Sequence, residues 1–188
     1  MSAVLLERPQ ATIDDLYKVE GKAEIVNGEI VTFMPTGGKA GFAGDWISAS
    51  LLMHWVKLRK GRAVGDNKAF LVNLPSRRSF SPDAAYYFGP DPDEDFFTGP
   101  PAFAVEVRSK GDYGPAAERE IEAKRHDYFK AGTEIVWDVD LRSADVIRAY
   151  HVDLPDSPRI FRRGEIADAE PVVPGWNMLV DELFDVQS

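Results

Sequence analysis

Two acidic residues stand in strand-like runs where apolar residues would be expected. Pro82-Asp83 opens the run Ala84 to Phe88, and Glu106 sits late in the run Ala102 to Val107, 23 residues further on. A charge inside a buried strand is costly unless it is paired or bound to metal. Strand alternation puts Glu106 and Arg108 on one face, opposite Val105 and Val107. If the two strands lie side by side, the carboxylates of Asp83 and Glu106 converge as hard oxygen ligands suited to Mg²⁺ or Mn²⁺. On spacing alone, the alternative is a Glu106–Arg108 ion pair, with Asp83 as a turn residue.

Other chemistries are poorly served. The glycine-rich run at 37–41 is no phosphate loop, because Ala40 replaces the required hydroxyl and Phe33 sits where the first glycine belongs. His54, His126 and His151 are too far apart in sequence for a local zinc pattern. There is no nucleophile-elbow serine, and with no cysteine there is neither a thiolate nucleophile nor a disulfide.

The elements that must position the carboxylates can be read in order. Thr12 with Asp15 forms a capping-box pattern, and Gly21 supplies a stop, so a short helix is expected over about Ile13 to Glu20. Ala23 to Val26 and Glu29 to Met34 flank Asn27-Gly28, a strong hairpin signal. Pro35 to Gly41 reads as a loop. Ile47, Leu51, Trp55 and Leu58 then recur at helical spacing, predicting an amphipathic helix from Phe42 to Lys60. Strands are expected at Lys68 to Leu74, Ala84 to Phe88 and Phe103 to Val107, with the acidic, proline-rich Gly89 to Pro101 as an exposed loop. Pro115 is a good first-turn residue, so a second long helix runs from Pro115 to Ala131 and stops at Gly132. Glu134 to Val139 and Asp145 to His151 follow as strands, and a short helix near Leu179 to Phe184 closes the chain. The pattern is a mixed α/β or α+β domain, without internal repeat or linker, over residues 1–188.

Length and charge bound the function class. The chain has 188 residues, 44% hydrophobic and 28% charged, which is too apolar for disorder and enough for one core. No apolar run reaches the ~18 residues of a membrane span. The opening Ala3-Val4-Leu5-Leu6 is too short for a secretion signal, so a cytoplasmic location is expected. The net charge of -9 argues against a protein that coats nucleic acid. Between Lys57 and Arg78, however, seven basic residues face only Asp66. That stretch is either solvated helix end and loop or a phosphate-facing strip.

A resemblance runs through most of the chain. Pro82-Asp83 followed by Glu106-Val107-Arg108 resembles the PD-(D/E)XK signature of restriction-endonuclease-like nucleases, with Arg108 in the lysine slot. Ala23 to Val31 looks like the hairpin of the Uma-two family of endonucleases. Val105 to Ser109, with Asp112, Lys124, Tyr128 and Ala131-Gly132, follows that family's central block. Val136 to Asp140 resembles its next strand, and Pro174-Gly175-Trp176 with Asp181 to Phe184 resembles its C-terminal signature. Two positions depart from it: Ala23 replaces the usual aromatic, and 41–44 lacks the histidine many relatives carry there.

The resemblance implies a restriction-endonuclease-like core, a mixed central sheet flanked by helices, with an N-terminal hairpin. It implies Asp83 and Glu106 as ligands of Mg²⁺ or Mn²⁺ and Glu24 as the acidic residue completing the site. Lys124 would stand on the helix after the Glu106 strand, with Tyr128 one turn on and facing the same way. Its alternative is a solvated partner of Glu120. Arg108 cannot relay a proton, being permanently charged, but can hold a phosphate. The implied function is a metal-dependent endonuclease acting on nucleic acid, DNA before RNA. The alternative is a catalytically silent module, such as a homodimer packed through exposed Trp and Phe surface. A third reading is a carboxylate-pair hydrolase acting on something other than nucleic acid.

Overall fold

The Asn27-Gly28 pair adopts the backbone that a two-residue hairpin turn needs: both residues have positive φ, 50° and 77°. Across it β1 (Ala23–Val26) pairs antiparallel with β2 (Glu29–Thr32). Ahead of the hairpin, Thr12 and Asp15 close the expected capping box over α1 (Ile13–Tyr17), a helix shorter than anticipated. This is a computed structural model, and residues 10–184 are described. The Ala3 to Leu6 segment lies outside them.

Helix α2 (Gly38–Leu58) begins four residues before Phe42, inside the stretch expected to be loop. Glycine propensity opposes this start, but tertiary packing overrides propensity. Ala40 and Ala43 are buried, and a Cβ at Gly44 would lie 3.4 Å from that of Asp83. The helix runs so close to the sheet that small residues are needed there.

The strands that follow are β3 (Arg62–Gly65), β4 (Phe70–Leu71), β5 (Ser79–Phe80), β6 (Ala84–Tyr87), β7 (Phe97–Thr98) and β8 (Phe103–Val107). Helix α3 (Pro115–Ala131) has the predicted bounds, with Gly132 at φ 112° as its left-handed cap. Then come β9 (Ile135–Val139), β10 (Ile147–His151), β11 (Leu154–Phe161), β12 (Ile166–Asp168) and β13 (Asn177–Leu179). A single 3₁₀ turn, Val180–Leu183, stands where a closing helix was expected.

Six strands form the central sheet in the order β11-β10-β9-β8-β6-β3. Only β8 and β9 are parallel in it, joined by the α3 crossover, so the sheet is mixed. On one face Ile47 and Leu51 of α2 pack with Phe103, Val105, Trp137 and Trp176. On the other, Tyr128 of α3 joins Ala104, Val136, Phe70 and Phe80. Among the described residues no helix is long and apolar enough to cross a membrane.

Several expectations need correction. β3 falls in a stretch read only for its charge, and the Lys68 to Leu74 strand shrinks to the two residues of β4. Within the 89–101 loop, Phe97 is buried and stacks 4.7 Å from Phe70, because β7 pairs with β4. β11 has no counterpart among the expected strands; Pro155 and Pro158 argue against one, yet its edge position tolerates them. The basic run from Lys57 to Arg78 does not form one strip. Arg59 lies over the Trp55 ring, Arg62 pairs with Asp91, and Arg77 is buried in the interior.

Candidate active site

Antiparallel pairing of β6 with β8 matches Ala84 to Val105, which sets Asp83 beside Glu106 across the two strands. The Asp83 N–H donates to the Val105 carbonyl at 3.0 Å, and Asp83 Oδ2 accepts the Val107 N–H at 2.7 Å. The strand that follows Asp83 and the strand that carries Glu106 are sheet neighbours, as expected. Val105 and Val107 point into the core on the α2 side, as strand alternation requires, while Glu106 lines an open cleft on the other face.

The hairpin supplies the third carboxylate. Glu24 is 1% exposed, in a strand whose neighbours Ala23 and Ile25 are also buried. Its Oε1 accepts the Ser81 N–H at 2.9 Å and lies 2.8 Å from the Lys124 ammonium, and its Oε2 takes the Arg77 guanidinium. Lys124 also lies 2.8 Å from Glu106 Oε1, which accepts the Tyr128 hydroxyl at 2.7 Å. Lys124 and Tyr128 stand one helical turn apart on α3, so both reach the same carboxylate. Lys124 is thus no solvated partner of Glu120; it bridges two acidic residues from different elements.

Two lysines pair with the three carboxylates, Lys124 with Glu24 and Glu106 and Lys22 with Asp83. Lys22, just before β1, places its ammonium 2.6 Å from Asp83 Oδ1 and 2.8 Å from Asp66 Oδ1. The groups shift one another strongly. Burial, the like charge of Asp83 and that of Glu24 raise the pKa of Glu106, outweighing Lys124 and Lys22. Burial acts the same way on Glu24, but Lys124 and Arg77 overcome it and hold that carboxyl below the usual range. Burial also opposes the charge on Lys124, which Glu106 and Glu24 restore, leaving it above the ordinary lysine value.

Arg108 occupies the same sheet face but is already engaged. Its Nε and one terminal nitrogen each donate to Asp138 at 2.7 Å, in a fork across β9, and the remaining side of the guanidinium meets Glu118. The side chain is 8% exposed. Asp138 is the register partner of Glu106 on β9, so the arginine braces the site from one strand away. The Glu106–Arg108 ion pair considered from spacing is not formed; among the described residues Arg108 pairs with Asp138 and Glu118.

With this geometry in place, comparison with known proteins is decisive for the family. Residues 12–182 match the profile of Uma2, described as "Putative restriction endonuclease". The chain belongs to the Uma2 family. No curated protein matches it. The fold is similar to a crystal structure described as "a putative nuclease belonging to DUF820 from Anabaena variabilis ATCC 29413". That match has a TM-score of 0.72 at 15% identity and covers 93% of this chain and 97% of the other. The family match supports a nuclease function for this Uma2 chain, and the structural match shows its fold.

Some functional neighbours were not legible in the sequence. Arg77 belongs to the basic stretch expected to be either solvated surface or a phosphate-facing strip, yet it joins Glu24 to Asp127, whose carboxylate also accepts the Ser76 hydroxyl at 2.9 Å. Lys22 lies just ahead of β1 and outside the motifs quoted for the family. Among the described residues, Glu122, His126 and Asp156 bring ligand atoms within 4.8 Å of one another, so His126 does find acidic neighbours through the fold. That trio includes none of Glu24, Asp83 and Glu106.

Proposed function

We propose that this Uma2 chain is a divalent-metal-dependent endonuclease that hydrolyses phosphodiester bonds, with DNA as the substrate class. The observation that carries the reading is the convergence of Glu24, Asp83 and Glu106, from three separate segments, around the ammonium groups of Lys22 and Lys124. An all-carboxylate donor set without thiolate or imidazole fits Mg²⁺ or Mn²⁺. Asp83 and Glu106 are the primary ligands, and Glu24 completes the acidic set. Bound there, a hard divalent cation would lower the pKa of a water and neutralise phosphate charge. Lys124, held by Glu24 and Glu106, supplies the ammonium that the signature normally carries at position 108 and sets it against the phosphate's negative charge. Arg108, locked on Asp138 and Glu118, positions β8 against β9 and does not reach for phosphate.

The test is cleavage of plasmid and single-stranded DNA with Mg²⁺ or Mn²⁺. Asp83→Asn and Glu106→Gln keep side-chain size and remove the charge that holds a hard cation. Each should lower the rate by a factor on the order of 10² or more, since a catalytic metal supplies several kcal/mol of transition-state stabilisation. Wild-type protein that neither cuts nor shows a metal-dependent melting shift would refute the nuclease reading and leave a catalytically silent module.

A second reading has an observation of its own. The outer face of α2 carries Phe42, Trp46, Ala49, Met53 and Val56 in alternating steps of three and four residues, all exposed. The stripe is spaced nearly evenly about Ala49, with the aromatics Phe42 and Trp46 on one side and the smaller Met53 and Val56 on the other, so an antiparallel copy would set each aromatic against a non-aromatic side chain. It offers on the order of 400 Å² of apolar surface per chain, about half of what a standard interface uses. The dimer it supports is therefore weak and concentration-dependent.

A further inference from the structure

Asp83 has two carboxylate oxygens, and both are engaged. Oδ2 accepts the Val107 N–H at 2.7 Å, a backbone donor fixed by the β6–β8 pairing. Oδ1 carries no backbone bond; its partner is the movable side chain of Lys22, at 2.6 Å. A metal ion arriving at that oxygen would meet the ammonium's like charge at contact distance, so the two compete for it. One partner has somewhere else to go. The Lys22 ammonium also lies 2.8 Å from Asp66 Oδ1, and Asp66 is 41% exposed against 13% for Asp83.

We propose that Lys22 is a built-in counter-ion that competes with the divalent metal for Asp83 Oδ1 and withdraws onto Asp66 when the metal enters. The proposal rests on the metal reading above and adds a residue that tunes the site's affinity. Without metal, the lysine relieves the repulsion between Asp83 and Glu106. With metal, its displacement lowers the apparent affinity by the fraction of molecules in which Asp83 is free. The structure thereby sets a threshold for loading without altering the ligands.

The experiment is calorimetric titration of metal-free protein with Mn²⁺, alongside melting curves with and without the ion. The proteins are wild type, Lys22→Met, Lys22→Gln and Asp83→Asn. If the lysine holds Asp83 in about nine of ten molecules, both Lys22 variants bind Mn²⁺ roughly tenfold tighter than wild type. They should also melt lower without metal and show the larger metal-induced rise. The gain should persist at high salt, since direct competition for one oxygen is not screened as a distant field is. Unchanged or weaker Mn²⁺ binding in both variants, or a gain that vanishes at high salt, overturns the role of Lys22 while wild-type binding stands. Absence of Mn²⁺ binding in every protein overturns the metal reading and this proposal with it.

Discussion

Removing the Lys124 ammonium while keeping most of its stem, as in Lys124→Met, tests whether the acidic cluster is held together as the geometry indicates. Its side chain is 16% exposed, and its ammonium lies 2.8 Å from both Glu24 and Glu106. Breaking a buried ion pair by deleting one partner costs about 3–5 kcal/mol, because the other charge stays buried. Here the loss is cushioned. Glu24 keeps Arg77 and the Ser81 N–H, and Glu106 keeps the Tyr128 hydroxyl. Glu106, whose pKa is already raised, can also take up a proton. The cost should fall at the low end, about 3 kcal/mol. For a chain of this length that corresponds to a fall in Tm of roughly 6–12 °C. Urea unfolding of metal-free protein at neutral pH is the assay, read as a shift in midpoint with an unchanged slope. The same change in a Glu106→Gln background should cost less, since one of the two abandoned carboxylates is gone. A loss of only about 0.3–0.5 kcal/mol is what a solvated helix pair is worth, and it would refute the reasoning.

Two further outcomes follow from the same structure. Glu24 has a folded-state pKa below its ordinary value of 4.5, so its contribution is full above that value and is lost as pH falls through the folded pKa. Melting curves of Glu24→Gln should therefore show a shallower acid-side fall in Tm than wild type; an equal fall would place the acid-sensitive group elsewhere. Paired Met53→Glu and Val56→Glu changes on the outer face of α2 should abolish concentration-dependent dimerisation in light scattering while leaving Tm nearly unchanged. A wild type that stays monomeric at millimolar concentration would remove that surface from consideration.

The sequence by itself determined the parts whose causes are local. Asn27-Gly28 specifies a hairpin because few other pairs tolerate positive φ at both positions. Pro115 and Gly132 bound α3 because one lacks an N–H where none is needed and the other accepts the left-handed cap. The alternation in Val105-Glu106-Val107 exposed a carboxylate on a buried strand, and the spacing from Asp83 brought the second one into view. The family motifs added Glu24 and Lys124.

Only the tertiary structure decided which charge meets which. Glu24 and Arg77 are 53 residues apart, and Arg108 and Asp138 are 30 apart. Nothing local distinguishes Arg77 from the exposed Arg78, or Lys22 from Lys18 on the surface. Register makes the difference: β8 against β9 sets Asp138 beside Glu106, within reach of Arg108, and the β1–β2 hairpin brings Glu24 over the same face. Coulomb attraction is indifferent to sequence separation, and the cost of burying a charge can be met only by a partner that folding has placed within a few ångströms. That is why the carboxylates were legible in the chain, while the lysines and arginines that answer them were assigned by the fold.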